Sequence, residues 1–248
     1  MIVEMSIEVS VVTPTYNRRQ FIPTLIELYK NQTFPKEKME WIIVDDGRDK
    51  VEDLFIEAAK TIPNIRYIRL DEKLRLGAKR NMMNKEAKGN IIVAMDDDDY
   101  YPPDKVEVIV NAFKKNPAVD LSGSSEMLLY YTDNQKVYSL GPFHPNHATN
   151  GTMSWRKRYS DTHKYEEYVT KAEEKSFLEE YKHKMIQIDT KKSILVICHT
   201  DNTVDKTDLR EVHMKSKNNH LFKETKYTLE DIVKEEKIRN FYLGLSTA

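Results

Sequence analysis

A single cysteine, Cys198, is all the chain carries. That excludes an intramolecular disulfide and a cysteine-based zinc site, and it suits a reducing compartment, so the cytoplasm is the expected location. Long apolar runs are missing too. Stretches such as Ile91-Ile92-Val93-Ala94-Met95 fall far short of the ~20 residues a spanning helix needs. Met1 to Ser10 carries Glu4 and Glu8 and lacks the basic start and long apolar core of a signal peptide. Neither sign of charge is in excess: Lys+Arg 39 stand against Asp+Glu 40. No global field therefore recruits nucleic acid or an anionic membrane, and any phosphate binding must be local.

What the sequence does contain is an ordered series of strand, polar cluster and helix. Its 248 residues suit one α/β domain, although two small domains would also fit. Glu8 to Thr13 is valine-rich and breaks at Pro14, as a buried strand does on entering a proline-stiffened loop, Pro14-Thr15-Tyr16-Asn17-Arg18-Arg19. Phe21, Ile22, Leu25, Ile26 and Tyr29 then recur on one helical face. Trp41 to Val44 runs into Asp45-Asp46-Gly47, and Val51, Leu54, Phe55, Ala58 and Ile62 give a second such face. Ile65 to Leu70 leads to Leu74 to Asn81, where Gly77 sits beside Lys79 and Arg80, and a helix continues to about Ala87. Ile91 to Met95 ends in Asp96-Asp97-Asp98-Asp99, after which Pro102-Pro103-Asp104 starts a helix through Phe113.

Such alternation predicts a mostly parallel sheet, because parallel neighbours need a crossover helix between them. Ligands bind such sheets outside the carboxyl ends of the strands, which is where all these polar clusters fall. Beyond Pro117 the pattern changes. Leu128 to Tyr131 and Val137 to Leu140 flank Asp133-Asn134-Gln135 and predict a hairpin, while Gly141 to Gly151 reads as a loop. A helix is expected over Glu166 to Lys182 and a buried strand over Ser193 to Cys198. Asp201 to Lys226 is a polar stretch with the composition of a mobile segment, and Thr228 with Asp231 resembles a capping box at a final helix.

Consecutive carboxylates repel, by roughly 0.7 kcal/mol per pair at ~6 Å in water and more where water is excluded. A hard divalent cation reverses that balance, since Mg²⁺ and Mn²⁺ take oxygen ligands, typically one or two carboxylates plus substrate phosphates. A solvated acidic turn is the bland alternative for an isolated run.

Together Val11-Val12-Thr13-Pro14-Thr15-Tyr16-Asn17-Arg18, Ile43-Val44-Asp45-Asp46-Gly47, Gly77-Ala78-Lys79-Arg80-Asn81 and Met95-Asp96-Asp97-Asp98-Asp99 resemble the family 2 glycosyltransferases of the GT-A fold, in that order. The resemblance covers roughly the first 120 residues. It implies a single GT-A domain: a nucleotide-sugar half over about 1–120, an acceptor and catalytic half over about 121–226, and a C-terminal helix over about 227–248. It also implies a metal-dependent, inverting transfer from a nucleotide-diphosphate sugar, most simply a UDP-sugar, to a hydroxyl of a glycan or related acceptor, with Mn²⁺ or Mg²⁺ as cofactor. By the same resemblance Pro14, Thr15, Tyr16, Asn17 and Arg18 border the donor, and Asp45 or Asp46 accepts from base or ribose. Gly77, Arg80 and Asp97 lie on the donor side. Asp98 ligates the metal and Asp96 serves ribose or metal.

In the later half, His199 resembles a further metal or diphosphate ligand. Ala172-Glu173-Glu174 resembles the acidic pair that supplies the base, although the family's usual aspartate is replaced here by Glu174. Asp161 and Glu167 are fallback bases. Asn150 to Arg156 resembles a loop between donor sugar and acceptor, which puts Gly151 and Trp155 on the acceptor side, Trp155 stacking on a sugar or else serving the core. Members of this type occur in bacterial surface-polysaccharide pathways and in large DNA viruses, the latter placing the chain in a host cytoplasm. Peripheral association with a lipid-linked acceptor stays open. Two rival readings remain. A sugar nucleotidyltransferase should show a glycine-rich loop after the first strand, and Pro14 to Arg19 has no glycine. A non-catalytic nucleotide-sugar or glycan-binding domain would bind donor without a base.

Overall fold

The computed structural model describes residues 6–168, 172–200, 202, 206–215 and 219–245. Along the chain run β1 (Val9–Thr15), α1 (Ile22–Lys30), β2 (Met39–Asp45), α2 (Glu52–Ala59), β3 (Ile65–Arg69), α3 (Leu76–Glu86), β4 (Ile91–Ala94) and α4 (Lys105–Lys115). These follow the alternation expected. Next come β5 (Leu121–Gly123), β6 (Met127–Tyr131), β7 (Lys136–Leu140), β8 (Ser154–Arg156), α5 (Lys157–Thr162), α6 (Glu174–Phe177), β9 (Met185–Gln187) and β10 (Leu195–Cys198). The last elements are α7 (Lys206–Lys215), β11 (Phe222–Glu224), α8 (Leu229–Ile232) and α9 (Glu236–Gly244).

The main sheet has the order β3-β2-β1-β4-β8-β5-β9. β1 pairs in parallel with both β2 and β4, whereas β8 is antiparallel to β4 and β5. The chain winds from β1 out to β3 and then crosses back to β4 on the other side of β1. The switch point of the topology therefore lies between the ends of β1 and β4, where an open α/β sheet has its natural crevice. β1, β2 and β4 are buried along their whole length, which is why they read as continuous apolar runs. On one face α1 packs Tyr29 flat on Trp41 at 4.3 Å between ring centroids, with Phe55 of α2 edge-on to Trp41 at 5.2 Å. Trp41 Nε1 donates to Thr13 Oγ1 at 3.0 Å, and that hydroxyl donates to the Met95 carbonyl at 2.7 Å, so a polar chain ties the strands just before the aspartate run.

Several expectations change. The hairpin forms as β6 and β7, but it belongs to a second sheet of order β10-β6-β7-β11. The predicted helix over Glu166 to Lys182, of which 169–171 lie outside the described residues, shrinks to α6. Ala172, Glu179, Glu180 and Tyr181 have φ of 52°, 45°, 60° and 61°, a left-handed backbone that no α-helix accepts. Within Asp201 to Lys226, where 201, 203–205 and 216–218 are outside the described residues, the chain forms α7 and β11. The final helix is two helices. Thr228 and Asp231 make the expected reciprocal capping box on the first of them.

Candidate active site

The loops after β1 and β4 enclose a cleft of about 510 Å³ whose lining includes Pro14, Thr15, Tyr16, Asn17, Arg18, Lys73, Arg80, Asp96, Asp97, Asp98 and Asn202. Most of the expected donor-side residues are thus brought together at the switch point. Asn17, in the left-handed region at φ 54°, accepts from the backbone amides of Arg48 and Asp49 at 2.6 and 3.1 Å, which fastens the first loop to the turn after β2. Lys73, absent from the sequence expectations, lies over the Tyr16 ring at 3.9 Å.

The four aspartates divide by what surrounds them. Asp96 faces Arg80, with Nη1 to Oδ1 at 3.1 Å and Nη2 to Oδ2 at 3.4 Å, while its backbone amide donates to the Tyr101 hydroxyl at 2.6 Å. Asp97 stands 3.8 Å from Arg18 Nε. Burial pushes its carboxyl well above the ordinary carboxylate range and the charge of Asp98 adds to this, against Thr15 and Arg18, which pull it down. Asp98 Oδ2 meets Arg18 Nη2 at 3.7 Å, His199 Nε2 at 3.3 Å and Asn202 Nδ2 at 3.2 Å. Asp99 turns inward and accepts from the Ile197 amide at 2.9 Å, binding the acidic turn to β10. A carboxylate oxygen and an imidazole nitrogen converging at one point form a donor set that fits Mn²⁺ or Mg²⁺.

Behind the aspartates lies a cation that the sequence did not single out. Lys105, wholly buried at the start of α4, donates to the carbonyls of Gly151 and Ser193 at 3.2 and 3.1 Å. Burial pushes its ammonium down to about 7, although Asp96 and Asp99 favour the charged form. Gly151 itself lies under the acidic turn: a Cβ there would sit 3.6 Å from Asp96 Oδ2 and 3.8 Å from Asp99 Oδ2.

Arg80 is buried and links the two halves of the chain. Its Nε donates to Glu173 Oε1 at 2.8 Å, across 93 residues of sequence. The Asn150 amide, with its oxygen turned toward Arg80, accepts from Nη1 and Nη2 at 2.6 and 3.2 Å and donates to the Tyr165 hydroxyl at 2.6 Å. Glu173 is therefore engaged. Its neighbour Glu174 is buried at the start of α6, and desolvation, reinforced by the charge of Glu173, pushes its carboxyl up to about 7. Glu174 is not among the cleft-lining residues. The fallback bases lie farther out, with Asp161 exposed and paired to Lys157 at 2.6 Å, and Glu167 exposed and accepting from Asn81 at 3.2 Å.

Other expected site residues prove to be framework. Asp45 is fully buried: Oδ1 accepts from the Gly47 amide at 2.8 Å, and Oδ2 from the Val51 amide at 3.0 Å and from the Tyr67 hydroxyl. Asp46 accepts from the Leu74 amide at 2.7 Å and from buried Lys79 at 2.6 Å. Neither lines the cleft, because their oxygens already hold the loops that do. Gly77 is needed for close packing, since a Cβ there would lie 2.5 Å from the Glu166 carbonyl oxygen. Trp155 is buried in β8, donates to Asn84 Oδ1 at 3.1 Å and meets Phe177 edge-on at 5.2 Å, so its ring is core and offers no face to a sugar.

Among the described residues, no helix is long and apolar enough to cross a membrane. The chain resembles an uncharacterized glycosyltransferase of Haemophilus influenzae, 31% identical over 111 residues, a match covering 45% of this chain and 36% of that protein. It thus spans well under two thirds of the length of that relative. Among solved structures, Staphylococcus aureus TarS 1–349 in complex with UDP aligns at TM-score 0.59 and 18% identity, covering 97% of this chain and 71% of that one. The mannosyltransferase PcManGT from Pyrobaculum calidifontis, in complex with GDP-Man and Mn²⁺, aligns at TM-score 0.62 and 14% identity, covering 96% and 69%. These likenesses establish a GT-A fold, the mostly parallel α/β sheet flanked by helices that the sequence predicted. The model of the glycosyl transferase family 2 matches residues 10–212, and the chain belongs to that family.

Proposed function

We propose that this chain is a metal-dependent glycosyltransferase that moves a sugar from a UDP-sugar to a hydroxyl of a glycan or related acceptor, with inversion at the anomeric carbon. The observation that carries the proposal is the convergence of the β1 loop, Arg18, Arg80, Asp96 and Asp98 on one cleft at the switch point of the sheet, with the buried ring of His199 against Asp98 at its edge. TarS and PcManGT, whose structures hold UDP and GDP-Man with Mn²⁺, lend support to a nucleotide-sugar donor.

In this reading residues 1–120 form the donor half and 121–226 the acceptor and catalytic half. Thr15, Tyr16 and Asn17 border the nucleoside, with Lys73 behind the Tyr16 ring. Asp98 and His199, with Asp96 beside them, would hold Mn²⁺ or Mg²⁺, which when bound supplies positive charge to the departing diphosphate. Arg18 adds a cation at the same edge, and Arg80 fixes the carboxylate of Asp96. Glu174 takes the acceptor proton on its carboxylate, and a carboxyl raised to about 7 is matched to that task near neutral pH. The engaged state of Glu173 leaves the second member of the pair for the chemistry.

A thermal-shift panel of UDP-, GDP-, dTDP- and CMP-sugars, each with and without Mn²⁺, tests the donor assignment, because a selective ligand stabilises by mass action. A UDP-sugar should raise the melting temperature most, and only with Mn²⁺. Equal indifference to every donor would overturn the proposal.

A further inference from the structure

Away from the cleft, His163, Glu179 and His183 each offer one ligand atom, and the three lie within 4.8 Å of one another. His163 Nε2 stands 3.7 Å from Glu179 Oε1, and His183 Nε2 stands 3.1 Å from Glu179 Oε2. An ion with tetrahedral bonds of about 2.0–2.2 Å separates its ligand atoms by about 3.3–3.6 Å, and each imidazole lies near that span from one of the two Glu179 oxygens.

His163 Nδ1 lies 3.0 Å from the Tyr159 carbonyl and 2.9 Å from the Thr162 hydroxyl, so the back of the ring is held by polar partners while Nε2 faces Glu179. A carbonyl behind a ligating imidazole is the usual arrangement that fixes ring orientation in metal sites. The ring is further held by Tyr159, stacked on it at 3.9 Å with 2° between planes, while the Tyr159 hydroxyl is anchored on the Phe177 carbonyl at 2.8 Å. Tyr159 also meets His183 edge-on at 5.3 Å. On the other side of the cluster the backbone is committed. Glu179, Glu180 and Tyr181 are consecutive non-glycine residues in the left-handed region, and that bend returns Glu179 and His183 toward α5.

We propose that His163, Glu179 and His183 bind one zinc ion, with water in the remaining position. Two imidazoles and a carboxylate are a nitrogen and oxygen set that suits Zn²⁺, in contrast to the oxygen-rich aspartate cleft, which suits harder cations. The ion ties the end of α5 to the turn that follows α6, and α6 opens on Glu173 and Glu174. Zinc occupancy therefore restrains the segment that holds Arg80 and presents Glu174.

Calorimetric titration of the chelator-stripped full chain with Zn²⁺, in excess Mg²⁺ to occupy the aspartate cleft, tests this. One Zn²⁺ per chain should bind. His163→Ala and His183→Ala should each weaken binding by about 100-fold, whereas Asp98→Ala should leave it intact. Absence of binding, or binding that persists in the His163→Ala/His183→Ala double variant, overturns the proposal. Cobalt substitution of the unmutated chain covers the case in which the variants fail to fold. Intense visible bands of four- or five-coordinate Co²⁺ are expected, and a weak octahedral spectrum contradicts the site.

Discussion

His199 Nε2 lies 3.3 Å from Asp98 Oδ2, although 101 positions of sequence separate them. β4 delivers the aspartate and β10, from the second sheet, delivers the histidine. Asp99 ties the two strand ends together, its carboxylate accepting from the Ile197 amide, and so brings Asp98 and His199 into register.

That placement predicts a metal effect that can be read on the folded protein. His199→Ala should weaken Mn²⁺ binding by about 10- to 100-fold, as Mn²⁺ titration of the folded variant followed by electron paramagnetic resonance would show, and it should also lower the melting temperature because the ring is buried against Phe21. Unchanged Mn²⁺ affinity would remove His199 from the ligand set.

Arg80 should behave as a buried keystone. Arg80→Met leaves Asp96 and Glu173 without their shared guanidinium, and breaking such a pair from one side costs about 3–5 kcal/mol. Chemical denaturation should show that loss. The double variant Arg80→Met/Glu173→Gln should recover part of it, because only one uncompensated carboxylate then remains.

Glu174 gives a pH dependence of defined sign. Its carboxyl goes from 4.5 to about 7 on folding, so between those values the native state holds the proton that the unfolded chain releases, and stability falls as pH rises. The penalty is absent below the lower value and complete above the upper one, amounting to roughly 3 kcal/mol at most. Glu174→Gln should therefore melt higher than the unmutated chain at pH 8 and nearly level with it at pH 4. In the unmutated chain, transfer should rise with pH through about 7, and Glu174→Gln should bind donor while losing turnover. Near-normal turnover in that variant would place the base elsewhere.

Asp45 and Gly77 separate framework from donor contact. Asp45→Asn turns an amide donor toward donors that the carboxylate now satisfies, at a cost of about 1–3 kcal/mol, and Gly77→Ala presses a methyl on the Glu166 carbonyl at a similar cost. Both should lower the denaturation midpoint. Of the two, Asp45→Asn should leave the donor KM of the folded enzyme within about threefold, since its carboxylate is outside the cleft.

The first 115 residues were legible because their information is local. Buried parallel strands read as apolar runs, α1 repeats its buried residues at helical spacing, and each strand end carries a polar cluster at a loop. The later half was less legible for physical reasons. β5, β8 and β9 have three residues each, too few for any periodicity to appear. The expected helix over 166–182 had helix-compatible composition but is bent by left-handed residues that are not glycine. Trp155 looked available to a sugar because nothing local reveals that Asn84 holds its indole N–H. Lys105 carries no local signal for the same reason, its partners Gly151 and Ser193 lying 46 and 88 residues away.

The most direct measurement is sugar transfer or hydrolysis from UDP-sugars with Mn²⁺, with saturating chelator, and in Asp98→Ala. Mn²⁺-dependent turnover of at least one UDP-sugar by the unmutated chain is expected, abolished by chelator and reduced at least about 100-fold in Asp98→Ala. A rate that neither chelator nor Asp98→Ala changes would contradict it.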